Sequence, residues 1–513
     1  MRNIFFTALR VFGLLSPLAA QAVQVSGMFR DHMVLQRERP IPVWGTGAPG
    51  ESVRVQLGAV AREASAGADG KWSVLFESMP AGGPVELTVS GMNTLTVRDI
   101  LFGDVWLCAG QSNMGTGFTR REALDPGRMD LPGIRYASYI AAAPEPVDDV
   151  PLVWSVSSPS TVPQYPAFPW YFAQMLHQET GVPVGLLKVN SGGARIEWFM
   201  NPAVVEPRKI WGDWKYQLDL YEKNLPKNTR VLEDWVRVAR DAMEKNRPVP
   251  VIPHVDVHPS FSPPARFGPF CFYFGTLSCL ARLPIKGVAW YQGESNVEDE
   301  GLYAPKLKAL VEGWRAAWKE PSLPFYFVQL PNVYQPGGLN ENPKLWPLLR
   351  EAQARVLALP HTGMAVTIDV GDEDLHPRNK YDMARRLAAI ALARTYGREI
   401  ECTGPVFRAS EARGTRMVLH FDHVGKGLMI GRKHGLDPVE EDVGGQLQEF
   451  AIAGPDRKFY TGEAIVEGDT VVVFSEKVLT PVSVRYAFTS NPSRRNLYGR
   501  NGLPVAPFRT DHW

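Results

Sequence analysis

Short apolar runs broken by turns fill the first hundred residues of the chain. Residues 40–45, 52–57, 72–76 and 85–89 alternate or nearly alternate between apolar and polar side chains. Alternation at period two marks a strand with one buried face. Gly47-Ala48-Pro49-Gly50-Glu51 and Ala68-Asp69-Gly70-Lys71 punctuate the runs as turns. The spacing predicts a small β-sandwich module over residues 23–97.

From residue 98 the rhythm changes. Residues 105–108 form an apolar run suited to a buried strand, and strands are also predicted over 184–189, 285–291, 325–330 and 364–369. Between them, Phe172, Met175 and Leu176 recur at helical spacing before a Thr180-Gly181 stop. Further helices are predicted over 303–318 and 380–396. Strands alternating with helices predict an α/β unit over residues 98–400, a parallel sheet covered on both faces. Residues near 205–270 break this rhythm with a charged helical stretch and a Pro-rich run, which predicts an excursion over the active-site face. Strand patterns return at 417–421, 450–453, 470–474 and 482–488, so residues 401–513 are predicted to be a second β module ending in a loop-like tail.

Composition narrows the function classes. A length of 513 residues exceeds one ordinary domain, and 45% apolar residues is globular. Fourteen Trp suit a large core and also sugar-stacking surfaces. A net charge of +1 without a long basic run gives no reason to expect nucleic acid or an anionic membrane as partner. The oligomeric state leaves no signal in the sequence. At the N-terminus, Arg2 and Arg10, an apolar stretch over 11–18 and Ala20-Gln21-Ala22 have the three parts of a signal peptide. Residues 1–22 are therefore expected to be removed on export to the periplasm or the exterior. No later segment reaches about 18 uninterrupted apolar residues, so no membrane span is expected in the mature form. Cys108, Cys271, Cys279 and Cys402 are too few for a disulfide scaffold and lack zinc-ligand spacing.

The chemistry gathers at strand ends, where open α/β sheets bind ligands. Gly110-Gln111-Ser112-Asn113-Met114, Gly192-Gly193, Gln292 and His376 each follow a predicted strand. Ser112 suits a nucleophile and His376 its base, while the Ser112 and Gly193 N–H groups and the Gln292 amide suit oxyanion donors. Taken singly, each has a plainer role: Ser112 as a helix cap, Gly192-Gly193 as a turn, His376 as a surface histidine. Four such motifs at equivalent positions favour one site.

Together, Gly110-Gln111-Ser112-Asn113-Met114, Gly192-Gly193-Ala194-Arg195-Ile196-Glu197, Trp290-Tyr291-Gln292-Gly293-Glu294-Ser295-Asn296 and Asp374-Leu375-His376-Pro377 with Lys380 resemble the sialate O-acetylesterase group of the SGNH-hydrolase superfamily. The resemblance implies a flavodoxin-like three-layer α/β domain flanked by β-sandwich-like modules. It implies a serine esterase that removes acetyl groups from sugar hydroxyls without metal or cofactor. Acetylated sialic acid is the namesake substrate, and acetylated xylan or another glycan fits as well. A glycan-binding protein that kept the scaffold is the non-enzymatic alternative, disfavoured because binding needs no Ser112 and His376 pair. The superfamily's acid three residues before the histidine would be Glu373, whereas this group's own motif gives Asp374. A Ser–His dyad helped by a backbone carbonyl is the third option. Ala194 stands where the family usually has threonine, and Phe272-Tyr273-Phe274-Gly275-Thr276 matches its family run loosely. Gln111, Asn113, Glu294, Arg195 and His258 are candidates to line the substrate cleft, with Arg195 more suited to a structural pair with Glu197. His254, Asp256 and His258 would share a strand face fit for a metal, but Pro253 and Pro259 point to a loop and no metal site is expected.

Overall fold

The computed structural model describes residues 22–118, 126–205, 212–245, 247, 249–250, 268–299, 301–333 and 345–513. Its backbone is one long strand, β1 (Thr94–Gly110), in which every residue from Ile100 to Gly110 is buried. A run buried on both faces has no reason to alternate, and its sequence is accordingly without polar side chains except Asp104, which pairs with Arg37. The first half of β1 pairs antiparallel with Gly82–Ser90 and, at Leu101–Gly103, parallel with Val34–Gln36. The second half is the centre of the α/β sheet. β1 therefore runs through the expected boundary between residues 97 and 98, and the N-terminal strands share it with the central sheet.

The other central strands are β2 (Ile134–Ser138), β3 (Trp154–Val156), β4 (Val184–Asn190), β5 (Gly287–Tyr291), β6 (Phe325–Val328) and β7 (Thr362–Ala365). Their spatial order is β3-β2-β4-β1-β5-β6-β7, parallel throughout except at the edge strand β3. From β1 the chain goes out on one side to β2 and the edge strand β3, returns to β4 beside β1, and then crosses to β5 on the other side. The carboxyl ends of β1 and β5 thus flank the point where winding reverses, which is where such sheets open a crevice.

Helices cover both faces. They are α1 (Ala167–Thr180), α3 (Tyr303–Ala317), α4 (Leu345–Arg355) and α5 (Lys380–Arg394), and a further long helix, α2 (Gly212–Glu244), lies in the stretch that interrupts the strand–helix rhythm. Trp106 points to one face, where its ring meets Phe172 of α1 edge-on at 5.1 Å and Tyr326 of β6 at 6.0 Å. Trp290, in register with Ala109, points to the other and meets Trp314 of α3 at 5.8 Å. The coarse reading of an α/β domain with β-rich flanking regions therefore holds.

Several elements differ from the sequence expectation. The strand expected over 364–369 is β7, Thr362–Ala365, because Asp369 is drawn out of the sheet to an ion pair with Arg386. Val60–Ser65 is a strand with no clean alternation in its burial. The tail is not all loop: Leu497–Gly499 and Phe508–Arg509 pair into the C-terminal sheets. Those sheets enclose their own core, where Phe508 stacks on Phe407 at 4.4 Å and meets Phe421 at 5.9 Å. All four cysteines are free thiols. Among the described residues no helix is long and apolar enough to cross a membrane.

The C-terminal strands are fastened to the α/β layers by a buried arginine. Arg350 of α4 donates to the carbonyls of Leu330 and Pro331 on its own side and of Thr489 and Ser490 across the junction, all within 2.7–2.9 Å. Truncating the fully buried Trp106 to alanine should cost about 3–5 kcal/mol, as large aromatic-to-alanine changes do. Denaturant unfolding checks this; a loss under about 1 kcal/mol would mean that the face can collapse around the gap.

Candidate active site

Gly110 ends β1 with φ +146°, and a Cβ there would lie 2.0 Å from the Tyr291 carbonyl oxygen. Only glycine allows β1 and β5 to approach so closely at their last pair. The chain then turns sharply, and Ser112 opens a one-turn helix, Ser112–Gly115. Gln111 laces the two strand ends together, its Oε1 accepting from the N–H groups of Gly293 and Ser295, both at 3.3 Å. Ser112 is left on the crevice.

His376 arrives from the loop after β7. Its Nε2 lies 2.8 Å from Ser112 Oγ, across 264 residues of sequence. Behind the ring, Asp374 Oδ1 lies 3.3 Å from Nδ1 and accepts the His376 backbone N–H at 2.9 Å. Asp374 is 70% exposed, so its charge is well screened. Glu373 is exposed too, and its own backbone N–H donates to Asp372. Of the two expected acids, Asp374 is the one beside the imidazole.

The remaining expected residues separate into two groups. Gly192 and Gly193 are exposed at the crevice, Gly193 with φ +65°. Gln292, expected as an oxyanion donor, is fully buried, and its amide donates instead to Ala194 O at 3.1 Å and Asn296 Oδ1 at 2.7 Å. With both hydrogens committed, it has none for a substrate oxygen. Gln111, Asn113 and Glu294, expected in the cleft, are also buried and hydrogen-bonded within the protein. Arg195 is held 2.7 Å from Asp299, which the sequence did not single out, and 3.6 Å from Glu197, its expected partner. His254, Asp256 and His258 lie outside the described residues. Among the described residues no group of three or more His, Cys, Asp or Glu is placed to hold a metal.

Two buried ionic clusters underlie the crevice. Behind the glycine turn, Lys306 Nζ bridges Glu197 at 2.5 Å and Asp299 at 2.6 Å, and Asn296 donates to both carboxylates. Burial opposes ionisation of Glu197, but the Lys306 and Arg195 charges win and hold it below the usual range. Asp299 is pushed up by burial and by its neighbour Glu197. Nearer Ser112, the Asn113 carboxamide accepts from Lys380 Nζ at 2.6 Å and donates to Glu294 Oε1 at 2.5 Å and to the Leu375 carbonyl at 3.0 Å. Burial raises the Glu294 carboxyl above its ordinary range.

Sequence reasoning missed Asp369, at the root of the His376 loop. It makes a bidentate pair with Arg386 of α5 at 2.5 and 2.7 Å, accepts from Tyr498 at 3.2 Å, and offers its backbone carbonyl to Arg495 at 2.8 Å. Burial opposes its ionisation, yet Arg386 holds its carboxyl below the usual value. Its partners come from far along the chain, so no local spacing signals them.

A hydroxyl and an imidazole in hydrogen-bond contact at the carboxyl edge of an α/β sheet have the form of a hydrolase site. The family profile described as carbohydrate esterase, sialic acid-specific acetylesterase matches residues 277–393. Sialate O-acetylesterase of Rattus norvegicus is 28% identical over 93% of this chain and 92% of its own. That of Pongo abelii is 30% identical over 77% of each chain. A crystal structure of a carbohydrate acetylesterase from Xanthomonas citri superposes with a TM-score of 0.78 at 32% identity, covering 96% of this chain and all of that one. The chain belongs to the sialate O-acetylesterase family.

The lowered carboxyls give a pH signature. A depressed folded pKa contributes stability that is complete above the unfolded value, about 4 for a carboxyl, and is lost as pH falls through the folded value. Thermal unfolding followed from neutral into acid should fall steeply below about pH 4. Asp369→Asn strands Arg386 and should cost about 3–5 kcal/mol at neutral pH while flattening that acid limb. Equal acid sensitivity in variant and parent would remove Asp369 from this account.

Proposed function

We propose that the protein is a serine-dependent O-acetylesterase acting on sugars, built on an SGNH-hydrolase, flavodoxin-like domain. The observation that carries the residue roles is the 2.8 Å contact between Ser112 Oγ and His376 Nε2. In this reading Ser112 attacks the acetyl carbonyl carbon as His376 takes the hydroxyl proton. The oxyanion is met by the backbone N–H groups of Ser112 and Gly193. Collapse expels the sugar oxygen, which leaves with the proton from His376, and water then releases acetate from Ser112 by the same route in reverse. Asp374 orients the imidazole and steadies its charge.

The substrate proposed is an O-acetylated sialic acid, by likeness to the mammalian relatives, with an acetylated plant or host glycan as the competing outcome. Residues 1–22 are proposed to be a signal peptide removed on export, supported by Arg2, Arg10 and the Ala20-Gln21-Ala22 site.

Acetate release tests the reading. Purified protein is offered acetylated sialic acid, acetylated xylan and simple sugar acetates. Ser112→Ala should lose at least about 10⁴-fold in kcat with an unchanged unfolding midpoint. Turnover that survives this substitution, or acetate released from none of the three, sinks the assignment. Comparable rates on all three would replace the sialate reading with a generalist one. Asp374→Asn should lose only about 5-fold, because an exposed carboxylate pair is worth at most about 1 kcal/mol, and Glu373→Gln should stay within about 2-fold.

A further inference from the structure

Asn113 has no exposed surface, so a sugar cannot reach it. Its side chain nevertheless makes three hydrogen bonds, each to a different part of the chain. Lys380 holds the oxygen, Glu294 takes one amide hydrogen, and the Leu375 carbonyl takes the other. Only a carboxamide supplies one acceptor and two donors in so small a fork. An aspartate would face Glu294 and Leu375 with lone pairs, and an apolar side chain would break all three bonds.

The partners are themselves costly. Lys380 is fully buried and stands at the first position of α5, where the helix dipole disfavours a cation. Glu294 is buried, and its Oε2 has no hydrogen-bond partner. The two charges are opposite, and the Asn113 amide sits between them as the bridge. The third bond shows what the bridge is for. Asn113 directly follows Ser112, and Leu375 directly precedes His376. The 3.0 Å bond from Asn113 to the Leu375 carbonyl therefore joins the two backbones that carry the reacting pair.

We propose that Asn113, Glu294 and Lys380 are positioning residues: their buried lysine–amide–carboxylate chain holds His376 on Ser112 and so sets kcat without touching the sugar. This rests on the reading of Ser112 and His376 as nucleophile and base.

The test uses the full chain and an acetyl ester of a sugar, with kcat, KM, the rate of Ser112 labelling by a fluorophosphonate, and the unfolding midpoint all measured. Asn113→Ala should lower kcat about 10²-fold, the effect of a displacement near 1 Å, with KM within about 3-fold and labelling slowed in parallel. Lys380→Met should act through the same bond, so the double variant should be no slower than Asn113→Ala alone. Glu294→Gln keeps the acceptor and the shape while leaving Lys380 unbalanced, and should lose less than either. It serves as the folded variant if Asn113→Ala does not fold.

A raised KM with kcat intact would make Asn113 a substrate contact and overturn the proposal. So would additive losses, or a lowered unfolding midpoint with normal kcat and labelling. The two readings can fail separately. An active parent, an inert Ser112→Ala and a normal Asn113→Ala overturn the positioning role alone. A parent that labels at Ser112 but releases no acetate overturns the esterase reading, and the labelling rates still decide this one. If the parent neither labels nor turns over, both fall.

Discussion

The close approach of β1 and β5 at their carboxyl ends is the constraint on which the site depends. Gly110 and Tyr291 are paired at the last rung, with no room for a Cβ between them. The Gln111 N–H then donates to the Tyr291 carbonyl at 3.1 Å, so the turn begins without releasing the neighbouring strand. The reversal of sheet winding falls at this same pair, which opens the crevice above it. Ser112 is thus fixed by backbone geometry before any side chain acts on it. The strand that delivers it also carries the N-terminal pairing in its first half, so displacement at either end strains both regions.

Charge is distributed unevenly around that constraint. Asp374, the carboxylate at the imidazole Nδ1, lies in solvent, whereas Glu197, Glu294, Asp299 and Asp369 are buried beneath or behind the loops. Removing such groups from water is expensive, and a buried ion pair is seldom a net gain over apolar packing. What these pairs supply is definition, because each partner has one low-energy place to be. The Arg195, Glu197, Asp299 and Lys306 group is neutral as a set and fixes the chain just beyond Gly193. Lys380 and Glu294 form a second neutral set under Ser112. Rigidity at the site comes from these buried sets beneath it.

Much of this was legible in the sequence, and the limits are physical. The central strands and helices show in apolar runs and helical spacing because their burial is set locally, as at residues 184–189 and 303–318. Ser112 and His376 stand out because their motifs follow strand ends. The elements missed are those whose reason is distant. The 364–369 segment looks like strand until Asp369 is seen reaching Arg386. Leu497–Gly499 looks like tail until it pairs with Leu428–Arg432. Polar residues in a motif invite a substrate role, and Gln292, Asn113 and Glu294 show why that fails. Composition says a residue is polar, but only the fold says whether its hydrogens are already spent.

The His376 loop shows how the C-terminal strands enter the geometry of the site. A loop is ordinarily the least constrained part of a fold. This one is held at both ends: Asp369 at its root and Leu375 next to His376. At the root, Arg386 belongs to the α/β layers, but Tyr498 and Arg495 come from the C-terminal region. Next to the histidine, the partner is Asn113 at the end of the central strand. The proposed base is therefore located by a vote of three regions, and Arg350 keeps two of them in register through four backbone carbonyls. A displacement of the C-terminal strands would reach the His376 loop at its root, through the Tyr498 and Arg495 bonds to Asp369. The exposed contact from Asp374 is thus made to an imidazole whose loop is tied to buried groups at its root and beside the histidine.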